Sequence, residues 1–507
     1  MSSDFPLRLG LPEPFPIIRN FLESSGYTEE FLRSHFHLPS IHFLLYPYGL
    51  QAEYLNKKYE EGDSLPLFLA RLFIAGRTYD RPALEERLTS PVVAALEQLG
   101  LLIPGDTAGL RCPVIVYPAL GVFVASDRGF RPEGPGYRGK DYVMSGTEHI
   151  CRQFIAHISR APCKTFLDMG TGSGLAALLA TKFSEQVWAV DITPRAASYA
   201  GFNRLLNGAQ NLTVLEGDLF TPVRGLSFDR IASNPPFEPP LKDGMIFSVG
   251  GEDGEAIIKR LVTEIPPYLN PGGRLYCQVC GTDRENESFD ERILSWLGEA
   301  RSEFDAVLFV RLTLPPNEYA IQQMLGENQD SWKLQEWNMF YHKLKATQVV
   351  IGHLILQKRA SVRPTFTARR NFGPVTTQKE IEWLLDWETQ CAGPDFADRL
   401  LESRPRPGLG WELHVRHGLQ EGKLTPLGYT FFTTYPFETN LHVASWMAML
   451  VSRCDGKATA AGHYQFFASR MTLSKEEYLR ALGALIGADF LRIDGFEPPA
   501  SPEAAAQ

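Results

Sequence analysis

The residues best suited to chemistry lie between positions 165 and 239, where polar or glycine-containing turns follow four apolar stretches. The first turn has the sequence DMGTGSG, which contains Asp168, Gly170, Gly172 and Gly174. Glycines permit a sharp turn and let a ligand lie directly against the backbone. Similar loops bind dinucleotides and phosphates, and others only pack a helix, so this turn alone favours neither function over packing.

Acidic residues end the next two predicted strands. Asp191 follows residues 187–190, where a carboxylate can accept hydrogen bonds from both hydroxyls of a ribose. Asp218 follows residues 212–216, beside the position expected for an adenine. Each aspartate could instead cap a helix. Because ligands of open α/β sheets bind outside the carboxyl ends of the strands, we expect these positions to share one crevice.

The fourth predicted strand, residues 230–233, leads into the turn Asn234, Pro235, Pro236 and Phe237. With the preceding motifs, this turn resembles the class I S-adenosylmethionine-dependent methyltransferases that carry Asn-Pro-Pro-Tyr/Phe and methylate planar nitrogens. That branch, with its methyltransferase small domain, includes release-factor glutamine, ribosomal-RNA guanine-N2 and adenine-N6 enzymes. The resemblance covers roughly residues 140–360 and implies a Rossmann-like, seven-stranded α/β domain.

The resemblance also implies S-adenosyl-L-methionine as the cofactor. No metal is expected, because the sulfonium is already an activated methyl donor. The glycine turn would border its methionine part, Asp191 would hold the ribose, and Asp218 with Leu219 would hold the adenine. The implied cofactor-binding residues are Asp168, Gly170, Thr171, Gly172, Gly174, Asp191, Ile192, Asp218, Leu219 and Asn234.

The implied catalytic residues are Asn234, Pro235, Pro236 and Phe237. An amide or exocyclic amine is a poor nucleophile because its lone pair is delocalised. Two acceptors, the Asn234 side chain and the Pro235 carbonyl, can draw the nitrogen toward sp³ geometry as the methyl arrives. The prolines keep Asn234 extended and rigid, and Phe237 would stack on the planar group.

Composition limits the remaining possibilities. The chain has 507 residues, which predicts about three domains. A net charge of −9 argues against coating nucleic acid by bulk electrostatics, although local basic patches stay possible. Seven scattered cysteines suit a reducing compartment, and the Cys277–Cys280 pair lies in an apolar stretch without a second pair at zinc spacing. Without an apolar leader or a run of about 20 apolar residues, we expect a cytoplasmic protein.

We therefore predict a catalytic domain at residues 127–360, flanked by mainly helical, winged-helix-like domains at residues 1–126 and 361–507. In the first flanking domain, helices at 65–75, 81–88 and 90–99 precede short strands near 110–114 and 122–125. The third helix has no basic residue, which favours a scaffolding or dimerising role over DNA recognition.

Several further segments have specific interpretations. Thr147-Glu148 resembles the Thr-Glu pair of glutamine methyltransferases and should open a helix, whereas the Arg-Pro run that usually precedes that pair is absent. An aromatic insertion at 315–346 predicts either packed helices or a specificity element. Residues 358–370 read as a basic linker, either solvated or in contact with a phosphate. Helices are predicted at 255–269, 441–451, 458–470 and 475–486, the last capped by Ser474, and a closing strand at 487–493.

Three functions remain open from the sequence. The favoured one is an enzyme that methylates a planar nitrogen of a protein side-chain amide, a peptide or a small molecule. The second is an RNA or DNA base N-methyltransferase. The third is a non-catalytic sensor of S-adenosylmethionine, which would have no need of an intact Asn-Pro-Pro-Phe turn. No membrane partner is expected, and a homodimer through the winged-helix-like domains is possible.

Overall fold

The computed structural model describes residues 5–46, 50–105, 108–131, 134–135, 137, 139–239, 245–327 and 333–500. The chain divides into two compact units. The first comprises Met1–Ile155 and Arg160–Gly281, and the second comprises Ala156–Ser159 and Thr282–Gln507. The three-domain division expected from the sequence stays a prediction.

The first unit begins with a helical segment followed by antiparallel hairpins. Its helices are α1 Pro14–Ser24, α2 Glu29–Phe36, α3 His42–Leu45, α4 Leu50–Glu60, α5 Leu65–Phe73, α6 Arg81–Leu88 and α7 Ser90–Gln98. Its strands are β1 Ile103–Pro104, β2 Leu110–Arg111, β3 Ile115–Ala119, β4 Val122–Ser126, β5 Phe130–Arg131 and β6 Gly134–Pro135, paired in succession. Helices α5–α7 are those predicted from the sequence, while the winged-helix assignment stays a prediction.

A parallel sheet with helices between its strands follows. Its elements are α8 His149–His157, β7 Cys163–Met169, α9 Leu175–Ala180, β8 Ser184–Asp191, α10 Pro194–Leu206, β9 Leu212–Glu216, β10 Phe228–Ser233, α11 Ala256–Glu264 and β11 Leu269–Arg284. The strand order is β11-β10-β7-β8-β9, and each neighbouring pair is parallel. The order reverses between β7 and β10, which is where a doubly wound sheet leaves a ligand crevice. The Rossmann-like α/β prediction is thereby confirmed.

Local sequence explains these boundaries. Residues 166–169 of β7 are all buried, as expected for a parallel strand covered on both faces. Helix α10 begins with Pro194 in its first turn, and the Thr193 hydroxyl accepts a hydrogen bond from Ala196 N. The helix predicted for residues 255–269 is shorter, because α11 ends at Glu264 and a 3₁₀ turn spans Pro266–Tyr268. Prolines lack the N–H that would continue the helix.

Buried polar contacts join the first hairpins to α10. Asp127 accepts from Arg195 Nε at 2.8 Å and from the Tyr199 hydroxyl at 2.7 Å. The Asn203 amide donates to Ala125 O at 2.9 Å and accepts from Ala125 N at 2.7 Å. These contacts fix α10, which starts immediately after the predicted ribose-binding strand end.

The second unit contains a mixed sheet and several helices. Its first elements are α12 Phe289–Trp296, β12 Phe304–Leu314, α13 Pro316–Glu327, α14 Lys333–Lys343, β13 Ala346–Lys358, β14 Thr367–Phe372, α15 Gln378–Cys391 and α16 Phe396–Glu402. The remainder are β15 Arg406–Pro407, β16 Trp411–Gln420, β17 Lys423–Thr433, β18 Phe437–Val443, α17 Ser445–Arg453, α18 Ala460–Ala468, α19 Lys475–Gly487 and β19 Leu491–Arg492. Its larger sheet has the order β16-β17-β18-β14-β12-β13.

The predicted linker at 358–370 is wrong in its second half. Residues 367–371 pair in parallel with 306–310 of β12. Arg363 donates to the buried Asp305 carboxylate at 2.9 Å, and Arg369 donates to Asp283 at 2.9 and 3.0 Å. The basic side chains that suggested a solvated linker are therefore partners of acidic residues distant in sequence.

The helix predicted for residues 441–451 is also partly wrong. Leu441–Val443 belongs to β18, where Leu441 pairs with Phe431, and the helix begins at Ser445. The predicted closing strand is only the two-residue β19. Ser474 caps α19 as expected, accepting from Glu477 N. Within the insertion, Tyr319, Trp337 and Tyr341 are buried against one another, which confirms packed helices; a role in specificity stays a prediction.

Candidate active site

A cleft of about 450 Å³ opens at the carboxyl ends of β7, β8, β9 and β10. Every predicted site residue except Gly174 lines it. The turns after four separate strands thus come together at the reversal of strand order, as the sequence predicted for an open α/β sheet.

Within the described ranges, none of the helices has both the length and the apolar composition that a membrane span requires.

The glycine turn faces the cleft through Gly170 and Gly172. Both have positive φ, 72° and 57°, and a Cβ built on either would meet no atom within 4 Å. A side chain here would occupy the space that a ligand needs. Gly174 has a different function: its Cβ would lie 3.2 Å from Ala200, so this glycine lets α9 approach α10.

Asp168 holds the glycine turn to the following helix. Its carboxylate accepts from the Thr171 hydroxyl at 2.6 Å and from Ala177 N at 3.0 Å. Burial raises the pKa of Asp168 to about 6, and these two hydrogen bonds act in the opposite direction.

Asp191 links the ends of β7 and β8. One oxygen accepts from Gly172 N at 2.9 Å, and the other accepts from Thr193 N at 3.0 Å and its hydroxyl at 3.1 Å. Burial raises the pKa of Asp191 against these hydrogen bonds. The helix-cap alternative for Asp191 is wrong, because Thr193 caps α10.

Asp218 lies at the outer edge of the cleft. Its carboxylate receives two hydrogen bonds from Arg260, at 3.2 and 2.9 Å. Leu219 beside it has a φ of 43°, and the Ile192 side chain after β8 is 56% exposed. These two apolar side chains border the cleft where the adenine was predicted to lie.

The Asn-Pro-Pro-Phe turn lines the cleft at the end of β10, on the other side of β7 from β8 and β9. Ser233 Oγ donates to Met169 O at 3.0 Å, which ties β10 to β7 just before Asn234. Asn234 Nδ2 donates to Cys151 Sγ at 3.4 Å. Over the part of the chain that the structure describes, no hydrogen bond reaches Asn234 Oδ1 or the Pro235 carbonyl. Two acceptor oxygens of this turn are therefore available to a ligand in the cleft.

A glycine-dependent contact supports Phe237. Glu238 N donates to Ser248 O at 2.7 Å, and Gly250 N donates to Glu238 O at 2.8 Å. A Cβ at Gly250 would lie 2.8 Å from Phe237 Cα and 2.3 Å from Gly254 O. Residues 250–254 therefore pack directly against the turn.

The cleft lining is acidic. Its described residues include no lysine, arginine or histidine and contain the carboxylates Asp141, Glu148, Asp168, Asp191, Asp218 and Glu238. Burial, followed by the charge of Glu238, raises the pKa of Glu148. This lining suits a cationic or hydrogen-bond-donating ligand and opposes a phosphate.

The lining also fits S-adenosylmethionine. The open glycine turn gives room beside the backbone, Asp191 can accept ribose hydroxyls, and the carboxylates complement a sulfonium. Within the described ranges, no group of three or more histidines, cysteines or acidic residues could hold a metal ion. Cys277 and Cys280 are both buried in β11.

The methyltransferase small domain family matches residues 139–287, which contain every residue that lines the cleft. A Methanocaldococcus jannaschii protein, provisionally named a protein N5-glutamine methyltransferase, is 34% identical over 165 residues, covering 31% of this chain and 79% of that protein. The chain belongs to the methyltransferase small domain family. It is an S-adenosylmethionine-dependent methyltransferase, as the sequence predicted.

Two bacterial glutamine methyltransferases are also similar to this chain. A ribosomal protein uL3 glutamine methyltransferase of Bradyrhizobium diazoefficiens is 35% identical, covering 27% of this chain and 47% of the relative. A release factor glutamine methyltransferase of Moorella thermoacetica is 36% identical, covering 27% and 53% respectively. The methyltransferase thus spans about half the length of these two curated relatives.

Sequence reasoning missed several residues of the cleft. Cys151 lies on α8, and Ile246 and Phe247 are 46% and 41% exposed at its rim. A cysteine in a helix and an isolated apolar pair carry no motif. Only the resemblance of Thr147-Glu148 to a family motif indicated that residues near α8 belong to the site. Glu148 does line the cleft, one residue before α8 begins.

Proposed function

We propose that this methyltransferase transfers a methyl group to the side-chain amide nitrogen of glutamine in a protein. The observation that carries the proposal is the pair of available acceptors, Asn234 Oδ1 and Pro235 O, at the end of β10. A primary amide presents two N–H donors in one plane, and two acceptors beside a flat aromatic ring complement that shape. The relatives named as glutamine methyltransferases support this choice.

The residues of the turn would act on the acceptor nitrogen. When bound, S-adenosylmethionine supplies a methyl group on a positively charged sulfur. The two acceptor oxygens hold the N–H groups and stabilise the nitrogen as it loses its planarity, while Phe237 contacts the face of the amide. The N–CH₃ bond forms as the S–CH₃ bond breaks, and one proton leaves the nitrogen for water. The products are an N-methylated amide and S-adenosylhomocysteine.

A nucleic-acid acceptor fits the cleft less well. Adenine and guanine also present planar nitrogens, but the phosphates of their strand would be repelled by the carboxylates that line the cleft. A protein segment can approach without that repulsion. We include in this proposal the cytoplasmic location and the homodimer that the sequence suggested. Sedimentation of the purified protein measures the oligomeric state.

The test of this function uses methyl-labelled cofactor. The purified protein is incubated with an extract of a strain that lacks its gene, and labelled protein is digested to its amino acids with proteases, which leave side-chain amides intact. Labelled N5-methylglutamine is the expected product. Label confined to RNA, DNA or small molecules would contradict the proposal.

Asn234→Ala tests the mechanism in the same assay. It should lower the transfer rate on the order of 10²–10³-fold, by analogy with loss of one oxyanion-hole donor. Binding of S-adenosylhomocysteine, measured by calorimetry, should stay near wild type. A variant that labels protein as fast as wild type would remove the assigned role of Asn234.

A further inference from the structure

A side-chain amide such as that of Asn234 has two chemically different ends. Only the oxygen can accept a hydrogen bond from the target amide, whereas the NH₂ group would oppose the target's own donors. Rotation of the Asn234 side chain by half a turn about its last bond would therefore exchange a useful group for a repulsive one. Pro235 and Pro236 restrain the backbone here, but they do not fix that rotation.

The partner that engages the other end is Cys151. Asn234 Nδ2 lies 3.4 Å from Cys151 Sγ, and both residues line the cleft. Cys151 lies on α8, whereas Asn234 follows β10, so the contact joins two separate elements. With Nδ2 held against the sulfur, Oδ1 is left for the cleft.

We propose that Cys151 is a positioning residue that fixes the orientation of the Asn234 amide toward the acceptor. This inference rests on the proposed function, because it gives Cys151 a role only if Asn234 acts in methyl transfer. Cys151 does not itself contact the reacting atoms in this assignment.

The state of the thiol agrees with this role. Burial, reinforced by the charge of Glu148, raises the pKa of Cys151 to about 12, while the hydrogen bond from Asn234 acts in the opposite direction. The sulfur is therefore a neutral thiol near neutral pH and a poor nucleophile. Its contribution is the weak hydrogen bond and the shape of its contact with the amide.

The experiment compares Cys151→Val, which keeps a similar volume without the sulfur, with Cys151→Ser, which keeps a hydrogen-bonding group. Transfer of labelled methyl into the gene-deleted extract is measured at saturating cofactor. Cys151→Val should lower the rate roughly tenfold, because small misplacements of a catalytic group carry such costs. Cys151→Ser should recover most of it, and affinity for S-adenosylhomocysteine should stay unchanged in both.

A double variant separates positioning from general damage to the fold. Adding Cys151→Val to Asn234→Ala should cause no further loss of rate, since the group being positioned is already absent. Cys163→Val is the matched control: Cys163 is also partly buried, but its sulfur contacts Ser184 Oγ at 3.1 Å outside the cleft. That control should transfer methyl at the wild-type rate.

The two proposals fail in different ways. Label confined to RNA, DNA or small molecules would overturn the proposed function. Wild-type transfer by Asn234→Ala would remove the role of Asn234, and the positioning role of Cys151 with it. A low rate for Asn234→Ala, together with a wild-type rate for Cys151→Val, would overturn only the positioning role. Losses from Asn234→Ala and Cys151→Val that multiply in the double variant would also overturn it.

Discussion

At the scale of single residues, the site combines ligand-facing groups with groups that hold the turns in place. Asp168 accepts a hydrogen bond from the backbone N–H of Ala177, and Asp191 accepts one from that of Gly172. Each carboxylate therefore stabilises the glycine turn as well as facing the cleft. The oxygens of Asn234 and Pro235 differ, because neither is used by the described part of the fold. These two oxygens therefore keep their full acceptor capacity for a substrate.

The burial of Asp168 predicts a pH dependence of stability. Its pKa is raised to about 6 in the folded protein from an ordinary value of 3.8, so protonation favours folding. This contribution is fully present below the unfolded pKa and is lost as pH rises through about 6. The free energy of unfolding of wild type, relative to Asp168→Asn, should fall by about 3 kcal/mol between acidic and neutral pH, as measured by urea unfolding.

Asp229 provides the control of opposite sign. Burial acts to raise its pKa, but hydrogen bonds from Asn270 and from the backbone N–H groups of Thr165 and Lys164 lower it overall. Its stabilisation is present above the unfolded pKa and is lost as pH falls. Relative to Asp229→Asn, wild type should therefore lose stability toward acidic pH. The same slope for both variants would contradict the assignment for Asp168.

At the scale of elements, the glycines of the turn after β7 have two different functions, ligand access and helix packing. Gly170 and Gly172 open the cleft, whereas Gly174 is the N-cap residue of α9, has the left-handed conformation and lies against Ala200 of α10. Helix α10 is in turn fixed by Arg195 and Asp127 in the buried interior. The glycine turn therefore depends on the packing of two helices.

Gly174→Ala should mainly reduce stability. A Cβ there is strained at φ 83° and meets Ala200 at 3.2 Å, so we expect a loss of about 1–3 kcal/mol in the free energy of unfolding. Gly170→Ala is the comparison, since it has similar backbone strain at φ 72° but an open space around the new methyl. Gly170→Ala should weaken S-adenosylhomocysteine binding more than Gly174→Ala does in calorimetry, after correction for unfolded protein. Equal affinities would contradict the division of roles.

At the scale of the whole molecule, charge opposes nucleic-acid binding. The net charge is −9, and the described lining of the cleft carries carboxylates without a basic residue. In the second unit, Arg363 and Arg369 of the basic segment pair with acidic residues of the same unit. Their charge is thus largely neutralised within the fold.

We therefore expect no salt-dependent retention of the full-length protein on immobilised RNA or DNA. A protein that neutralises several phosphates loses affinity steeply as salt rises, so elution across a salt gradient measures the effect directly. A ribosomal-RNA methyltransferase of known salt dependence serves as the positive control. Retention that weakens steeply with salt would favour the nucleic-acid alternative.

The sequence by itself determined the order of strands and helices in the parallel sheet and most of the candidate site. Those residues follow directly after apolar strands, so their local sequence shows both the strand and the turn, and parallel topology brings the turns together. Only the tertiary structure decided the long-range pairs. Cys151 and Asn234 are 83 residues apart, and Arg369 and Asp283 are 86 apart. No local pattern reveals such partners, which is why a strand at 367–372 read as a linker and Cys151 carried no signal.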